Sequence, residues 1–358
     1  MKIVVKSTSC GIALIIVMIV ITTLGILAGG FASAMRIETK LARNSSFENE
    51  LEWLGRSGVE FARYVLVEHM NVRHEPWDSL NQKWAGGPLG TNEVLELLSL
   101  ENNRLGPGTF SIKITDLERK FNINGINQRN AFVVDKALSM SGVDPAESSV
   151  IRDSLLDWLD PNEEPHFFGS ESEDYVAQPN PGFPPYVAKN GLIDDMGELL
   201  FIRGITPELY RGSGAPPPIE GLSFPIGGSA AGAGLSDLFT TLSSGAININ
   251  TASVQVLQLF PGIDANVAQG ILMLRAGWDG IDGTEDDVPF RSVGELINVP
   301  GMMPQFVQQL QGLLRTRSLT YEVRVEARIN KYTRRYSAVV RRNPSNPRDV
   351  QTLSFHWE

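Results

Sequence analysis

The sequence predicts an α+β fold, in which a long N-terminal helix lies beside an antiparallel sheet and a large all-α domain is inserted between the strands of that sheet. Three observations lead to this prediction. Residues 11–35 contain no charged side chain. Apolar and polar residues alternate near residue 110 and again after residue 320. The segment between these regions is mostly helical in pattern and contains an internal repeat.

The uncharged segment is long enough to cross a bilayer. A helix over residues 11–35 rises about 37 Å, and the hydrocarbon core is about 30 Å thick. Lys2 and Lys6 precede the segment, and basic residues favour the cytoplasmic side. We therefore expect a single-pass protein of the bacterial inner membrane with its C-terminal domain in the periplasm.

Three ways of processing the N-terminus compete. Ala32-Ser33-Ala34 has the A-x-A form of a signal-peptide cleavage site, which would release a soluble protein, but the apolar run before it exceeds the usual 7–15 residues. The segment can also remain as an uncleaved anchor. The third possibility is a prepilin-type cut between Gly11 and Ile12, which makes residues 1–11 a leader and residues 12–35 a retained transmembrane segment. Lipid modification of Cys10 is weakly supported, because Cys10 precedes the apolar run.

An amphipathic pattern over residues 36–75 favours the third possibility. Apolar positions recur at steps of three and four, which places them on one face of a helix. One long helix would then begin in the membrane and continue under a globular head. We expect its apolar face to contact partner helices or the chain's own head, and it consists of Leu51, Leu54, Gly58, Phe61 and Val65.

Strand patterns frame the rest of the chain. Gly108–Thr115, Tyr321–Ile329 and Tyr332–Arg341 alternate, Thr352–Trp357 can add a last strand, and Asn330-Lys331 has the form of a tight hairpin turn. One helix is expected at 92–99. The predicted α/β head therefore comprises residues 76–120 and 316–358, and the all-α insert comprises residues 121–315.

The insert contains two copies of a helix-hairpin-helix-like unit. Copy one covers about 121–211, copy two about 247–314, and a Gly/Pro-rich linker about 212–236 separates them. Each copy repeats the same motifs in the same order, which makes coincidence improbable. The matched pairs are Asn122–Asn124 with Asn248–Asn250, Gly142–Asp144 with Gly262–Asp264, Trp158 with Trp278, and Gly197–Leu199 with Gly294–Leu296.

Each copy carries an acidic loop after its tryptophan. Crowded carboxylates favour a hard cation, Ca²⁺ takes six to eight oxygen ligands, and glycines let a loop wrap it. A solvated acidic turn is the alternative. We expect Ca²⁺ at the second loop, through Asp279, Asp282, Glu285, Asp286 and Asp287. The first loop follows Asp160 and is the weaker candidate, with Glu163, Glu164, Glu171, Glu173 and Asp174.

Several function classes are disfavoured by what the sequence contains. The net charge of −10 suits a phosphate backbone poorly. Leu259–Ile263 resembles the hairpin of a helix-hairpin-helix motif, but Asp264 follows it and no lysine lies between Lys189 and Lys331. We therefore expect no nucleic-acid partner. The common hydrolase, P-loop and zincin motifs are absent, and the single cysteine lies in the leader. We expect no enzyme activity.

The sequence resembles protein K, the minor pseudopilin family of type II secretion systems. The resemblance rests on Cys10–Leu14, Leu155–Asp160, Gly204–Tyr210 and Ile247–Ala252. It implies a pilin-like helix and sheet with an inserted α-domain, calcium in that domain, and cleavage by prepilin peptidase. It also implies a role at the pseudopilus tip in initiating assembly and protein export. The implied partners are the minor pseudopilins I, J and H and the major pseudopilin.

Position 16 fits this family. Pilins generally carry glutamate at the fifth mature position, whereas protein K lacks it, and Ile16 stands there in this chain. A subunit without this carboxylate cannot neutralise the N-terminus of a subunit ahead of it, which suits the tip. The alternatives are a minor pilin of a type IV pilus, a membrane-anchored helix-hairpin-helix DNA-binding protein, and a soluble protein released at Ala34.

Overall fold

The protein is built from one 60-residue helix, a five-stranded antiparallel sheet and a domain of short helices. The computed structural model describes residues 10–72, 75–212 and 233–358. The α-helices are α1 Cys10–His69, α2 Phe132–Met140, α3 Pro145–Leu159, α4 Ser172–Ala177, α5 Pro207–Arg211, α6 Leu235–Leu238, α7 Val254–Leu257, α8 Ala265–Arg275 and α9 Pro304–Leu310. The strands are β1 Asn103–Leu105, β2 Gly108–Asp116, β3 Phe121–Asn122, β4 Phe239–Thr240, β5 Ile247–Asn248, β6 Leu314–Arg315, β7 Thr320–Ile329, β8 Tyr332–Asn343 and β9 Asn346–Trp357.

The main sheet has the order β1-β2-β7-β8-β9, and every neighbouring pair is antiparallel. Strands β2 and β7 are adjacent in space, with Ile112 opposite Val325, although about 200 residues of sequence separate them. The predicted α+β class, with a helical block inserted between strands of one sheet, is therefore confirmed.

The alternating patterns explain the strands. Side chains of β7 alternate between buried and exposed along Val323–Ile329, as expected for a strand with one face on a core. The hairpin to β8 turns at Asn330, whose φ of 54° lies in the left-handed region that asparagine tolerates. The prediction of a helix at 92–99 was wrong, because only a 3₁₀ turn at Leu95–Leu97 forms there.

Helix α1 packs its second half on the sheet. Gly58 is the point of closest approach, since a Cβ atom there would lie 2.4 Å from Cγ1 of Val325. Residues 13–42 are exposed along their whole length. Within the described residues, α1 is the one helix long and apolar enough to cross a membrane.

Buried apolar side chains form two separate clusters. One lies between α1 and the main sheet and includes Leu66, Trp84 and Tyr321. The other lies within the chain segment between β2 and β7 and includes Leu138, Trp158 and Ile271. The inserted segment therefore has a hydrophobic core of its own.

The two copies in the insert share their hydrogen bonds as well as their sequence motifs. In copy one, the side chain of Asn124 bonds both backbone groups of Ile193, at 2.8 and 2.9 Å. In copy two, Asn250 does the same with Phe290, at 2.8 and 2.9 Å. The turn glycines Gly142 and Gly262 have φ of 81° and 78°. Most of the predicted linker, residues 213–232, lies outside the described residues.

Candidate functional site

The predicted processing site lies at the start of α1. Gly11 and Ile12 belong to the first turns of this helix, and their side-chain environment is outside the described part of the chain, as are residues 1–9. Ile16 is 56% exposed on the same helix. Its apolar side chain is therefore free to contact lipid or a neighbouring helix, and it carries no charge for a partner.

The predicted partner face of α1 requires a correction. Leu51, Leu54 and Val65 are buried in the chain's own core, and Phe61 packs edge-on against Phe110. The stripe thus covers the main sheet, because that sheet offers a complementary apolar face within the same chain. A flanking face of the helix exposes Trp53 (70%) and Tyr64 (44%).

The acidic loop of copy two is already satisfied by protein donors. Both oxygens of Asp282 bind the guanidinium of Arg275, at 2.9 and 2.7 Å. Asp286 accepts the backbone N–H of Trp278 at 2.6 Å and the hydroxyl of Thr284 at 2.8 Å. These bonds hold the pKa of Asp286 below its usual range. The loop therefore folds on itself around Arg275.

The side-chain oxygens of the remaining predicted ligands of copy two do not converge on one point either. Asp287 accepts the N–H of Gly283 at 2.7 Å, and Asp279 accepts that of Ile281 at 2.7 Å. Glu285 is exposed. Among the described residues, no three acidic or histidine side chains of this loop gather their ligand atoms. The expectation that copy two is the stronger cation site is not supported by this geometry.

Copy one gathers its acidic groups. Asp157, Asp160 and His166 bring ligand atoms within 4.8 Å of one another. Helix α3 supplies Asp157 near its C-terminal end, and Asp160 caps that end. The loop that follows returns His166, whose Nδ1 contacts the Asp157 carboxylate and whose backbone N–H donates to it at 2.9 Å.

Glu171 is a second buried carboxylate in the neighbourhood of this cluster. It is 4% exposed, and neither of its oxygens has a hydrogen-bond partner. Burial first, and then the neighbouring charges of Asp157, Glu163 and Asp160, together raise the pKa of Glu171 to about 7. A carboxylate in this setting requires either a proton or a cation.

Two more oxygens are unpartnered in the same region. Oδ2 of Asp157 and Oδ1 of Asn190 are buried without a hydrogen bond. Asn190 is fixed in the left-handed conformation, with φ of 47°, and its amide donates to the Asn162 carbonyl at 2.8 Å. Buried polar atoms without partners are rare in folded proteins. This set of oxygens suits a hard cation such as Ca²⁺.

The other predicted acidic residues of copy one lie around this cluster. Glu163 accepts the hydroxyl of Ser172 at 3.1 Å. Asp174 accepts the backbone N–H of Glu171 at 3.1 Å, which fixes the start of α4. Glu164 and Glu173 are exposed. Glu171 is therefore the predicted residue that the structure places inside the site, with Glu163 at its edge.

Sequence reasoning missed Asp157, His166 and Asn190 as site residues. A signal for Asp157 was available, because it lies three residues before Asp160 in a helix and therefore on the same side of α3. It also lies beside the buried Trp158. His166 and Asn190 reach the cluster through loops, and spacing along the sequence gives no indication of that.

The helix-hairpin-helix turn of copy two is closed by the chain itself. A Cβ on Gly262 would lie 2.2 Å from the ring of Phe306. Asp264 accepts the N–H of Val267 at 2.9 Å and so occupies the N-terminus of α8. A free helix N-terminus is what such a hairpin offers to phosphate. The turn therefore serves packing.

Comparison with known proteins first defines the class. A chain of "the GspK-GspI-GspJ complex from enterotoxigenic Escherichia coli Type 2 Secretion System" superimposes with a TM-score of 0.62 at 17% identity. The match covers 88% of this chain and 99% of that chain. The protein thus has the fold of a pseudopilin with an inserted α-domain. A helix-hairpin-helix family model matches residues 243–315.

Sequence comparison indicates which family this chain resembles. The model of "Type II secretion system (T2SS), protein K" matches residues 119–212. The protein of that name from Pseudomonas aeruginosa is 24% identical over 77% of this chain and 75% of its own length. The one from Klebsiella pneumoniae is 24% identical over 56% of this chain and 60% of its own length. Over these ranges the chain is similar to the type II secretion system protein K family.

Proposed function

We propose that this protein is a minor pseudopilin at the tip of the type II secretion pseudopilus, where it helps to initiate pseudopilus assembly and protein export across the outer membrane. One observation carries the proposal. A domain with its own core is inserted in the chain between the neighbouring strands β2 and β7, and α1 continues beyond the head as an exposed apolar helix. The helix can join a helical bundle, and the insert hinders stacking of another subunit. The role is structural and requires no catalysis.

The N-terminal helix is the proposed anchor. Its apolar N-terminal half and the similarity to the protein K family fit a membrane-anchored pseudopilin. We place the chain in the inner membrane as a single-pass protein with a periplasmic C-terminal domain, after prepilin peptidase has cut between Gly11 and Ile12. Ile16 then provides no carboxylate for a subunit ahead of it, which supports the tip position.

The proposed partners are the minor pseudopilins I, J and H and the major pseudopilin. The similar chain of known structure was solved in a complex with GspI and GspJ. The exposed face of α1 around Trp53 is the surface that we assign to this contact, because the apolar stripe of the helix is covered by the chain's own sheet. We propose no nucleic-acid partner, since Asp264 occupies the N-terminus of α8.

Calcium is the proposed ligand of the copy-one cluster. Asp157, Asp160, Glu171 and Asn190 supply the oxygens, and the unpartnered oxygen atoms on Asp157, Glu171 and Asn190 support the assignment. A bound divalent cation would neutralise the buried carboxylates. It would also tie the end of α3 to the start of α4 and so stabilise copy one of the insert.

The tip position can be tested by labelling. Cys10 lies in the proposed leader, so a cysteine at Leu97 (87% exposed) would be unique in the mature chain, and a second variant would carry one at Phe167 (89% exposed). A gold-coupled maleimide should mark one end of isolated pseudopili in both variants. Label distributed along the shaft would disprove the tip model, and label on surface pili would favour a type IV pilus protein.

A further inference from the structure

A buried polar cluster joins the head to the insert, away from the candidate cation site. Its centre is Asp116, the last residue of β2, where the chain leaves the sheet for the insert. Asp116 is 2% exposed. The cluster also includes Ser318, where the chain returns to the sheet before β7. Both connections between head and insert therefore meet at one carboxylate.

Donors to Asp116 come from both sides of the joint. Oδ2 accepts the hydroxyl of Ser318 at 2.6 Å, the hydroxyl of Thr251 at 2.5 Å and the amide of Asn248 at 3.4 Å. Oδ1 accepts the N–H of Glu118 at 2.8 Å. Thr251 and Asn248 belong to copy two of the insert. All four donors are neutral, so no cation compensates the carboxylate directly.

The guanidinium of Arg342 is engaged by another carboxylate. Arg342 of β8 binds both oxygens of Asp78 at 2.9 Å, and His69 at the end of α1 lies 3.2 Å from the same carboxylate. Burial by itself would raise the pKa of Asp78, but Arg342 and then His69 hold it far below its usual range. Asp78 therefore remains an anion, and the guanidinium of Arg342 binds Asp78 rather than Asp116.

Every element packed on Asp116 contributes a group that has to be considered. The 3₁₀ turn after β2 brings Glu118, which is fully buried and accepts the hydroxyl of Ser244 at 2.6 Å. Strand β7 brings Tyr321, whose ring lies under the Arg342 guanidinium. The ionisable groups that interact with Asp116 are Glu118, Arg119, Tyr321 and Arg342. Asp78, which contacts His69, is linked to Asp116 through Ser318.

We propose that Asp116 makes this joint sensitive to protons, so that the insert is held more firmly to the head when Asp116 is neutral than when it is charged. Protonation of Asp116 leaves one carboxylate fewer in a cluster that also contains Asp78 and Glu118. The hydroxyls of Ser318 and Thr251 can rotate to accept its proton in a hydrogen bond. The charged form leaves a buried anion with neutral donors only. The stability of the contact between head and insert would then depend on the pH around the pseudopilus tip.

The direction of the effect follows from burial. Desolvation raises the pKa of Asp116 from 3.8 to about 7, and Glu118 adds to the rise, while the Ser318 and Thr251 hydrogen bonds oppose it. The closed joint thus holds a proton between about pH 4 and pH 7 that the opened joint has released. The contribution of Asp116 to closure is therefore full below about pH 4, falls as the pH rises from about 4 through 7, and does not change further above that.

Hydrogen exchange of the full chain in detergent micelles provides the test. The amide of Ser244 bridges the joint through its bond to Glu118 at 3.1 Å, and the amides of Ile249 and Ser318 flank it through bonds to Arg315 and Asp78. After correction for intrinsic rates, their protection should fall about ten-fold between pH 5.5 and pH 8. Amides inside the β7–β8 hairpin should change less and serve as the internal reference.

Three variants decide the interpretation. Asp116→Asn keeps the size and should abolish the pH dependence. Glu171→Gln, the matched control at a distant buried carboxylate, should retain it. A dependence that persists in Asp116→Asn, or disappears in His69→Gln instead, would overturn the proposal. If Asp116→Asn does not fold, the Glu171→Gln variant, which lacks the other buried carboxyl that titrates near pH 7, should show the infrared carbonyl band of a protonated carboxyl at pH 5.5, and this band should disappear near pH 7 in step with protection. Absence of the band at pH 5.5 in this variant would also overturn the proposal.

Discussion

The two copies in the insert share a scaffold and differ in how they compensate acidic charge. Both have an asparagine clamp and a turn glycine with positive φ. In copy two, a buried arginine neutralises the acidic loop from inside the protein. In copy one, the equivalent position carries Leu155, and the buried carboxylates of Asp157 and Glu171 have no arginine. The same fold thus leads to an internal ion pair in one copy and, in our proposal, to binding of an external cation in the other.

The tryptophans that the repeat aligns show the same divergence. Trp158 is 4% exposed and packs against Tyr175, Tyr186 and Phe201. Trp278 is 98% exposed. Copy one therefore buries Asp157 and Glu171 beside an aromatic cluster, which lowers the local dielectric and strengthens the effect of every unpaired charge. Copy two leaves its loop in water, where hydrogen bonds and one ion pair suffice.

The largest difference between the copies should come from these tryptophans. Trp158→Ala removes a ring from the core and should lower the free energy of unfolding by about 3–5 kcal/mol. Trp278→Ala, its matched control, should change it by less than about 0.5 kcal/mol. Urea unfolding of the full chain in detergent, followed by circular dichroism, measures both. Equal effects would show that the two loops are packed alike.

The next effect tests the internal cation of copy two. Arg275→Met leaves Asp282 and the Ile249 carbonyl without their partner, at a site where Arg275 is 3% exposed. We expect a loss of about 3 kcal/mol, equal with Ca²⁺ and with chelator. Leu155→Met at the equivalent position should cost less than about 1.5 kcal/mol. A loss that Ca²⁺ repairs would mean that copy two also binds the ion.

The sequence predicted the secondary structure and the duplication better than it predicted the partners of the charged side chains. The patterns of β2, β7 and β8, the turn at Asn330 and the duplication were all visible from periodicity and motif order. The number of carboxylates in a loop was misleading, because Asp282 faces Arg275 at the end of a helix, and a charge count does not show which carboxylates already have a partner. Likewise, the apolar stripe of α1 gave the helix face but not whether the chain or a partner covers it.

Calcium addition compares the loops directly. At a concentration 100 times its dissociation constant, an ion that binds only the folded state stabilises it by about 2.7 kcal/mol. Asp157→Asn should abolish this gain, whereas the double variant Asp282→Asn/Asp286→Asn in copy two should keep it. Thermal unfolding with Ca²⁺ and with chelator gives the difference. A gain lost only in the copy-two variant would return the site to that loop, and a gain with Zn²⁺ but not Ca²⁺ would assign the leading role to His166.

The smallest effect is the pH dependence of the calcium gain. In the absence of an ion, the pKa of Glu171 is raised by burial from 4.5 to about 7, so Glu171 holds a proton in the folded protein and releases it in the unfolded one. Stability of the calcium-free protein from this group therefore falls as the pH rises from about 4.5 through 7. Calcium requires the deprotonated carboxylate, so its affinity should rise up to ten-fold per pH unit below 7. The calcium gain should consequently grow between pH 5.5 and pH 8.

The joint at Asp116 titrates in the same range, but it contributes equally with and without the ion and cancels in the difference. Glu171→Gln should remove the growth, and Asp282→Asn in copy two should leave it intact. A calcium gain that is constant from pH 5.5 to pH 8 in the wild-type chain would mean that Glu171 is not a ligand, whatever the effect of Asp157→Asn.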